Sequence, residues 1–447
     1  MRSEIRTFSY PNGELQRVQL VHLDSWDDIQ FHKPIASDRA IACFERIYRK
    51  FLVPACPVLF GTMVLFRLPE DVEMPFSHET KKYGHVASPL TAAAAGLERG
   101  LIFLGKKAVF RDEKTKDFYL HLKKRDCVRI VKGWLPITTI IPVGQLSGFL
   151  TESEESARMK VDASFFIMDR FDCATAYDHI GIPFGLRVKE GMIENPPAYN
   201  REALLVQKDG TTQIHPVDIR ELEMEIRGKR YKAGQNARIY DRPKHAFVAN
   251  STGKSLVIVG TEVVSVSRRA FQPVPASGFV LCVDGECDIR PGDVVTYHGL
   301  EDVAFGIQVG NSIVRGGVRT ERFLSRFYNI RHFQPVPYPP SLYPMDFKKG
   351  RAARIALGAD KDGKPMLLWA EGAGKLCYTP GQDSCGASLS EMAEICEKVG
   401  MVNAVNLDGG GSAQILLKNQ RSLLISDRKE ADNAECERPV PMGLIVR

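Results

Sequence analysis

The chain has 447 residues, 44% hydrophobic and 26% charged, which supports a large buried core and excludes a disordered or low-complexity chain. Sixty Lys and Arg against 54 Asp and Glu leave a net charge of +6, too diffuse for a nucleic-acid surface, so no nucleic-acid partner is expected. Length alone allows two or three domains, or one large domain with insertions.

The opening residues, MRSEIRTFSYPNGELQR, contain no apolar h-region, and the expectation is a soluble cytoplasmic chain. Residues 14–23 (ELQRVQLVHL) alternate like a strand. Two apolar runs, Phe51–Phe66 and Trp134–Leu150, contain prolines and are shorter than the ~20 residues of a membrane span. Both read as buried strands, so no membrane span is predicted. Residues 24–155 otherwise show no recognisable chemistry, although SPLTAAAAGLERG is a candidate helix.

From residue 160 onward, short β-like runs are punctuated by Gly, Pro and Asp. Asp209-Gly210 and Asp284-Gly285 are hairpin dipeptides. The pentapeptide FQPVP occurs at 271–275 and 333–337, and the second copy opens a Pro-rich, extended connector. Ala353–Gly372 reads as two strands joined at Asp362-Gly363. Ser388–Gly400 reads as a helix, because Met392, Ile395, Cys396 and Val399 fall on one face. Ser388 and Glu391 form a capping box, and Gly400 is placed to end the helix. A short strand, MVNAVNL, then leads into Asp408-Gly409-Gly410-Gly411-Ser412, and SAQILLKN returns as another strand.

The ten cysteines contain no C-x-x-C pair, and Cys282 and Cys287 are too isolated for a zinc site. Most read as reduced, buried thiols. His245, His298 and His332 fall near turns and read as ordinary histidines. No metal and no cofactor are expected.

A turn needs only Asp-Gly, and three consecutive glycines exceed that need. They strip side chains from the backbone, so that amides can face an anion or developing negative charge. No Gly-Lys-Ser/Thr follows, which excludes a Walker loop, and no helix follows, which excludes a dinucleotide fingerprint. Asn406, Asp408 and Ser412 flank the loop with hydrogen-bonding and acid–base capacity.

NAVNLDGGGSAQ (403–414) resembles the signature of the phosphodiester glycosidase family. VDASFF (161–166), GIPFGLRVKEGMIENPP, RIALGADKDGKPMLLWAEG and GASLSEMAEICEKVG resemble further stretches of that family, over about residues 156–447. Two positions depart from its pattern: Asp162 stands where the family has Asn, and Ile355 where it has Thr. The resemblance implies an α+β fold of mixed sheets with flanking helices. It implies a phosphodiester-glycosidase-like domain at 156–447, behind an N-terminal region (1–155) that carries one early core strand and a large insertion.

The resemblance implies a hydrolase that cleaves the glycosidic bond of a sugar-1-phosphodiester, with N-acetylglucosamine as the candidate sugar, releasing sugar and a phosphomonoester. The substrate partner would be a small sugar phosphodiester or a glycan. Asp408 is the first catalytic candidate, as the carboxylate that stabilises the anomeric carbon. Asp162 and Glu371 are candidates for a water-directing base. Arg354 is the candidate phosphate clamp. Asn406, the amides of Gly409, Gly410 and Gly411, and the Ser412 hydroxyl complete the candidate substrate site. Inversion and retention are both open. A non-catalytic carbohydrate- or phosphate-binding relative, or a phosphodiesterase cutting P–O, are the alternatives.

Overall fold

A computed structural model describes residues 1–40, 42–43, 147–167, 177, 181–183, 185–198, 201–241, 247–248, 253–267, 272–285, 287–321, 350–373, 378–427 and 435–447, together with five strands within 63–130. The candidate helix at 88–100, the Pro-rich connector, His245 and His332 lie outside the described residues, as does most of each apolar run.

The expected α+β fold with flanking helices is corrected by the structure. Among the described residues 47% are strand and 9% helical, and every strand-to-strand pairing is antiparallel. The physical reason lies in the short alternating runs after residue 160. Nearly all of them close into hairpins and sheets, and the one long amphipathic helix among the described residues is Leu389–Lys398. No helix among the described residues is long and apolar enough to cross a membrane.

Two sheets position the site. The longer has seven strands in the order Arg2–Ser9, Leu15–His22, Pro365–Ala370, Arg354–Ala359, Asn403–Asn406, Ser312–Arg315 and Val318–Arg319. The early strand Leu15–His22 thus pairs with Pro365–Ala370, some 350 residues later in the chain. The shorter sheet has five strands, in the order Ile29–His32, Gly443–Val446, Met159–Asp162, Ile415–Leu417 and Gln420–Arg421. Leu357, Trp369, Val405 and Leu407 from the long sheet meet Val161, Ile415, Leu444 and Val446 from the short one in a single core. Each such buried side chain contributes roughly 1.5–3 kcal/mol.

The opposite face of the long sheet carries Ala356, Leu368 and Ala404, covered by Leu389, Met392, Ala393 and Cys396 of the helix. Ser388 and Glu391 make the capping box that the sequence predicts. A second hydrophobic core, built from sheets within residues 186–303, forms a separate β lobe.

The hairpins at Asp209-Gly210 and Asp362-Gly363 form as predicted, with both glycines at positive φ. Asp284-Gly285 does not join paired strands. Gly278–Val283 pairs with Ala237–Asp241 and Lys254–Val259, and the next strand, Val295–His298, crosses to a different sheet.

Candidate active site

The glycine loop is the link between the two sheets. Asn403–Asn406 ends in the long sheet, and Ile415–Leu417 begins in the short one. Ile415 pairs with Val161, and Asp162 N–H donates to Gln414 O (3.2 Å), so Asp162 comes to the loop from the neighbouring strand. Asp162 and Asp408, 246 positions apart in sequence, meet at this corner.

Asp162 is fully buried, and neither carboxylate oxygen has a hydrogen-bond partner among the described residues. The adjacent Ala163 amide donates to Met442 O (3.3 Å) and also favours the charged form of Asp162. Burial pushes the Asp162 carboxyl well above the usual carboxylate range, and the negative charge of Asp408 pushes it further; the Ala163 backbone amide and, more weakly, Arg438 oppose both. Asp408 retains 8% exposure, and Gly409 N–H donates to its Oδ1 (2.8 Å). Burial and the neighbouring charge both favour the protonated form of Asp162 beside the Asp408 carboxylate, a division of labour that acid–base chemistry uses.

The three glycines are there for three different reasons. A Cβ on Gly409 would lie 2.8 Å from Ala353 O. Gly410 has φ +61, in the left-handed region. A Cβ on Gly411 would lie 2.3 Å from Arg438 Nη2 and 2.3 Å from Asp427 Oδ2. The loop is therefore less open than the sequence suggests. Gly410 N–H donates to Ala353 O (2.8 Å), Ser412 N–H to Gly409 O (3.3 Å) and Gly409 N–H to Asp408 itself. Three loop amides thus already have partners inside the protein.

Asp427 and Arg438 are the residues that sequence reasoning missed. Arg438 Nε and Nη2 both donate to Asp427 Oδ2, at 3.0 and 2.7 Å, and both side chains are only 12% exposed. Neither sits in a recognisable motif. The one available signal was the third glycine, whose missing side chain leaves room for the pair.

The remaining candidates are distributed around this corner. Glu371 is buried and accepts three hydrogen bonds: from Arg17 Nε (2.7 Å) and Ser384 Oγ (2.6 Å) to Oε2, and from Leu424 N–H (2.8 Å) to Oε1. It ties the early strand to the segment that carries Asp427. Strand alternation turns Arg354 toward the helix side of the long sheet, where Nε donates to Ala387 O (2.6 Å) and Nη2 to Gly350 O (2.9 Å). Asn406 Nδ2 donates to Leu407 O (2.8 Å), and its own carbonyl accepts from Gly310 N–H (2.8 Å). Ser412 is buried in the loop. The structure brings Asp162, Asp408, the glycines and Ser412 together; it uses Glu371 and Arg354 to hold neighbouring segments.

An antiparallel β protein with a buried carboxyl pair at a sheet-to-sheet loop has the makings of a hydrolytic acid–base site. The phosphodiester glycosidase family model matches residues 229–447, just under half of the chain. The match contains the glycine loop, Asp427 and Arg438, whereas Asp162 lies outside it.

Among curated proteins, mouse N-acetylglucosamine-1-phosphodiester alpha-N-acetylglucosaminidase is 29% identical over 194 residues, covering 38% of this chain and 36% of the mouse protein. The human protein of that name is 37% identical over 95 residues, covering 21% of this chain and 17% of its own length. The similarity therefore spans little more than a third of the mouse relative and less of the human one. The zebrafish catalytic domain of that enzyme, solved auto-inhibited by its pro-peptide, is 12% identical over the whole chain, with 82% of its own length covered and a TM-score of 0.37. A superposition that loose carries no argument about the site.

Proposed function

We propose that this chain is a hydrolase that cleaves the glycosidic bond of a sugar-1-phosphodiester, with an α-linked N-acetylglucosamine as the sugar. The observation that carries the reading is the Asp162–Asp408 pair at the glycine loop: Asp162 is fully buried, with its carboxyl raised by burial and by the Asp408 charge, and Asp408 keeps 8% exposure. The curated relatives, named for that activity, support the substrate class.

Asp408 is the member that reaches solvent, so it meets the substrate. Its negative charge stabilises the positive character that develops at the anomeric carbon as the C–O bond lengthens. The departing phosphate is a good leaving group and needs little protonation. Asp162, sealed from solvent, keeps the shared proton and so confines the negative charge to Asp408. The partnered amides of the loop fix the position of the Asp408 carboxylate rather than supplying an open anion nest.

The test is hydrolysis of an α-N-acetylglucosamine-1-phosphodiester in oxygen-18 water. Label in the released sugar supports C–O cleavage. Label in the phosphate would identify a phosphodiesterase that cuts P–O. Saturable binding without products would identify a non-catalytic binding protein.

A further inference from the structure

We propose that Arg438 is a positioning residue for this reaction: clamped by Asp427 over Gly411, its guanidinium holds negative charge on the Asp162–Asp408 pair. The inference rests on reading that pair as the acid–base centre, and it adds the device that keeps the pair from becoming neutral.

Three observations converge on the placement of the guanidinium. First, Asp427 Oδ2 accepts from both Nε and Nη2 of Arg438, which fixes the plane and direction of the guanidinium. Second, the pair occupies the space that a side chain at residue 411 would fill, so the loop itself is shaped to receive it. Third, the short segment carrying Arg438 is tied down on several sides. Cys436 N–H donates to Asp427 O (3.0 Å), Glu437 accepts from Thr151 N–H (3.2 Å) and Thr151 Oγ1 (2.6 Å), and Gln414 Nε2 donates to Arg438 O (3.5 Å). An ion pair serving only its own neutrality would not require a glycine in the loop of the candidate carboxylate.

The electrostatics give the placement its use. Two charged groups act on the Asp162 carboxyl: Asp408 from the glycine loop and Arg438 from the segment before the strand Gly443–Val446. Burial and the Asp408 charge both favour protonation of the pair. Taken far enough, they would leave both carboxyls protonated near neutral pH and remove the anion that the reaction needs. The Ala163 backbone amide acts in the opposite direction, and Arg438 is the charged group that joins it. Asp427 sets how much of the guanidinium charge reaches the pair, and Gly411 sets how closely it approaches.

The test combines carbon-13 carboxyl titration of aspartate-labelled protein with pH–rate profiles on an α-N-acetylglucosamine-1-phosphodiester. In Arg438→Gln the titration of the pair should move up. The acid limb of kcat should move with it, with KM changed by less than about twofold. Arg438→Lys keeps the charge and should restore the wild-type midpoint. Asp427→Asn/Arg438→Gln leaves no lone buried charge and serves where the single variant does not fold; it should show the same upward shift. An unmoved titration in a folded Gln variant overturns the proposal. So does a large rise in KM with an unmoved kcat profile, which would make Arg438 a phosphate ligand. If the wild-type protein hydrolyses no sugar phosphodiester, the functional reading fails, and the titration still decides the role of Arg438.

Discussion

The β lobe and the glycine-loop corner each bury aspartates beside one arginine, and they treat them differently. In the lobe, Arg220 donates to Asp218 Oδ1 (2.9 Å) and to Asp241 Oδ2 (3.0 Å), and Asp218 also caps a short 3₁₀ turn through Arg220 N–H. Both acids there are hydrogen-bonded to the guanidinium they share. At the corner, Arg438 pairs with Asp427, while Asp162 is buried deeper than either lobe acid and its carboxylate oxygens have no hydrogen-bond partner among the described residues. A buried carboxyl left unpartnered is expensive to fold around. Pairing in the lobe serves stability, and the unpartnered acid at the corner maintains a proton and a charge side by side.

Substitutions at the two places should separate along that line. The largest expected effect is on chemistry: Asp408→Asn should lower kcat by about 100- to 10,000-fold with little change in melting temperature. Turnover that survives would remove Asp408 from the reaction. Next, Arg220→Ala in the lobe strands two buried acids and should cost roughly 3–5 kcal/mol in denaturant unfolding, while kcat of the folded fraction stays unchanged. A parallel loss of kcat would mean that the lobe is part of the catalytic unit. Gly411→Ala forces its Cβ against Asp427 and Arg438, and overpacking of this kind costs about 1–3 kcal/mol. It should also lower activity. Gly210→Ala is the control: its Cβ would meet nothing within 4 Å and only the positive φ is strained, so it should cost about 1 kcal/mol and leave activity intact.

Local features were legible in the sequence. The Ser388–Glu391 capping box, the amphipathic face ending at Cys396 and the turns at Asp209-Gly210 and Asp362-Gly363 depend on neighbours within a few residues, and they form as read. The glycine run was legible as an unusual loop, but why Gly411 must be glycine was not, because Asp427 and Arg438 reach it from 16 and 27 residues downstream. Arg354 shows the same limit. Its place on a strand was readable, but which face it presents depends on the pairing of Ala356 with Asn406, which turns it toward the helix. The α+β expectation came with the family resemblance, whereas the short alternating runs after residue 160 pair into antiparallel sheets. Asp284-Gly285 failed as a hairpin because the following strand finds its partner in another sheet.

The central claim is that Asp162 holds a proton in the folded protein that the unfolded chain would release. Its folded carboxyl lies above the ordinary aspartate value, so the native state binds more protons than the unfolded state over that interval. Stability must then fall as pH rises from about 4 through the folded titration point, and level off beyond it. The direct measurement is the unfolding free energy against pH for the wild type and for Asp162→Asn. A decline in the wild type that is absent in Asp162→Asn is the predicted result. Parallel curves would contradict the account.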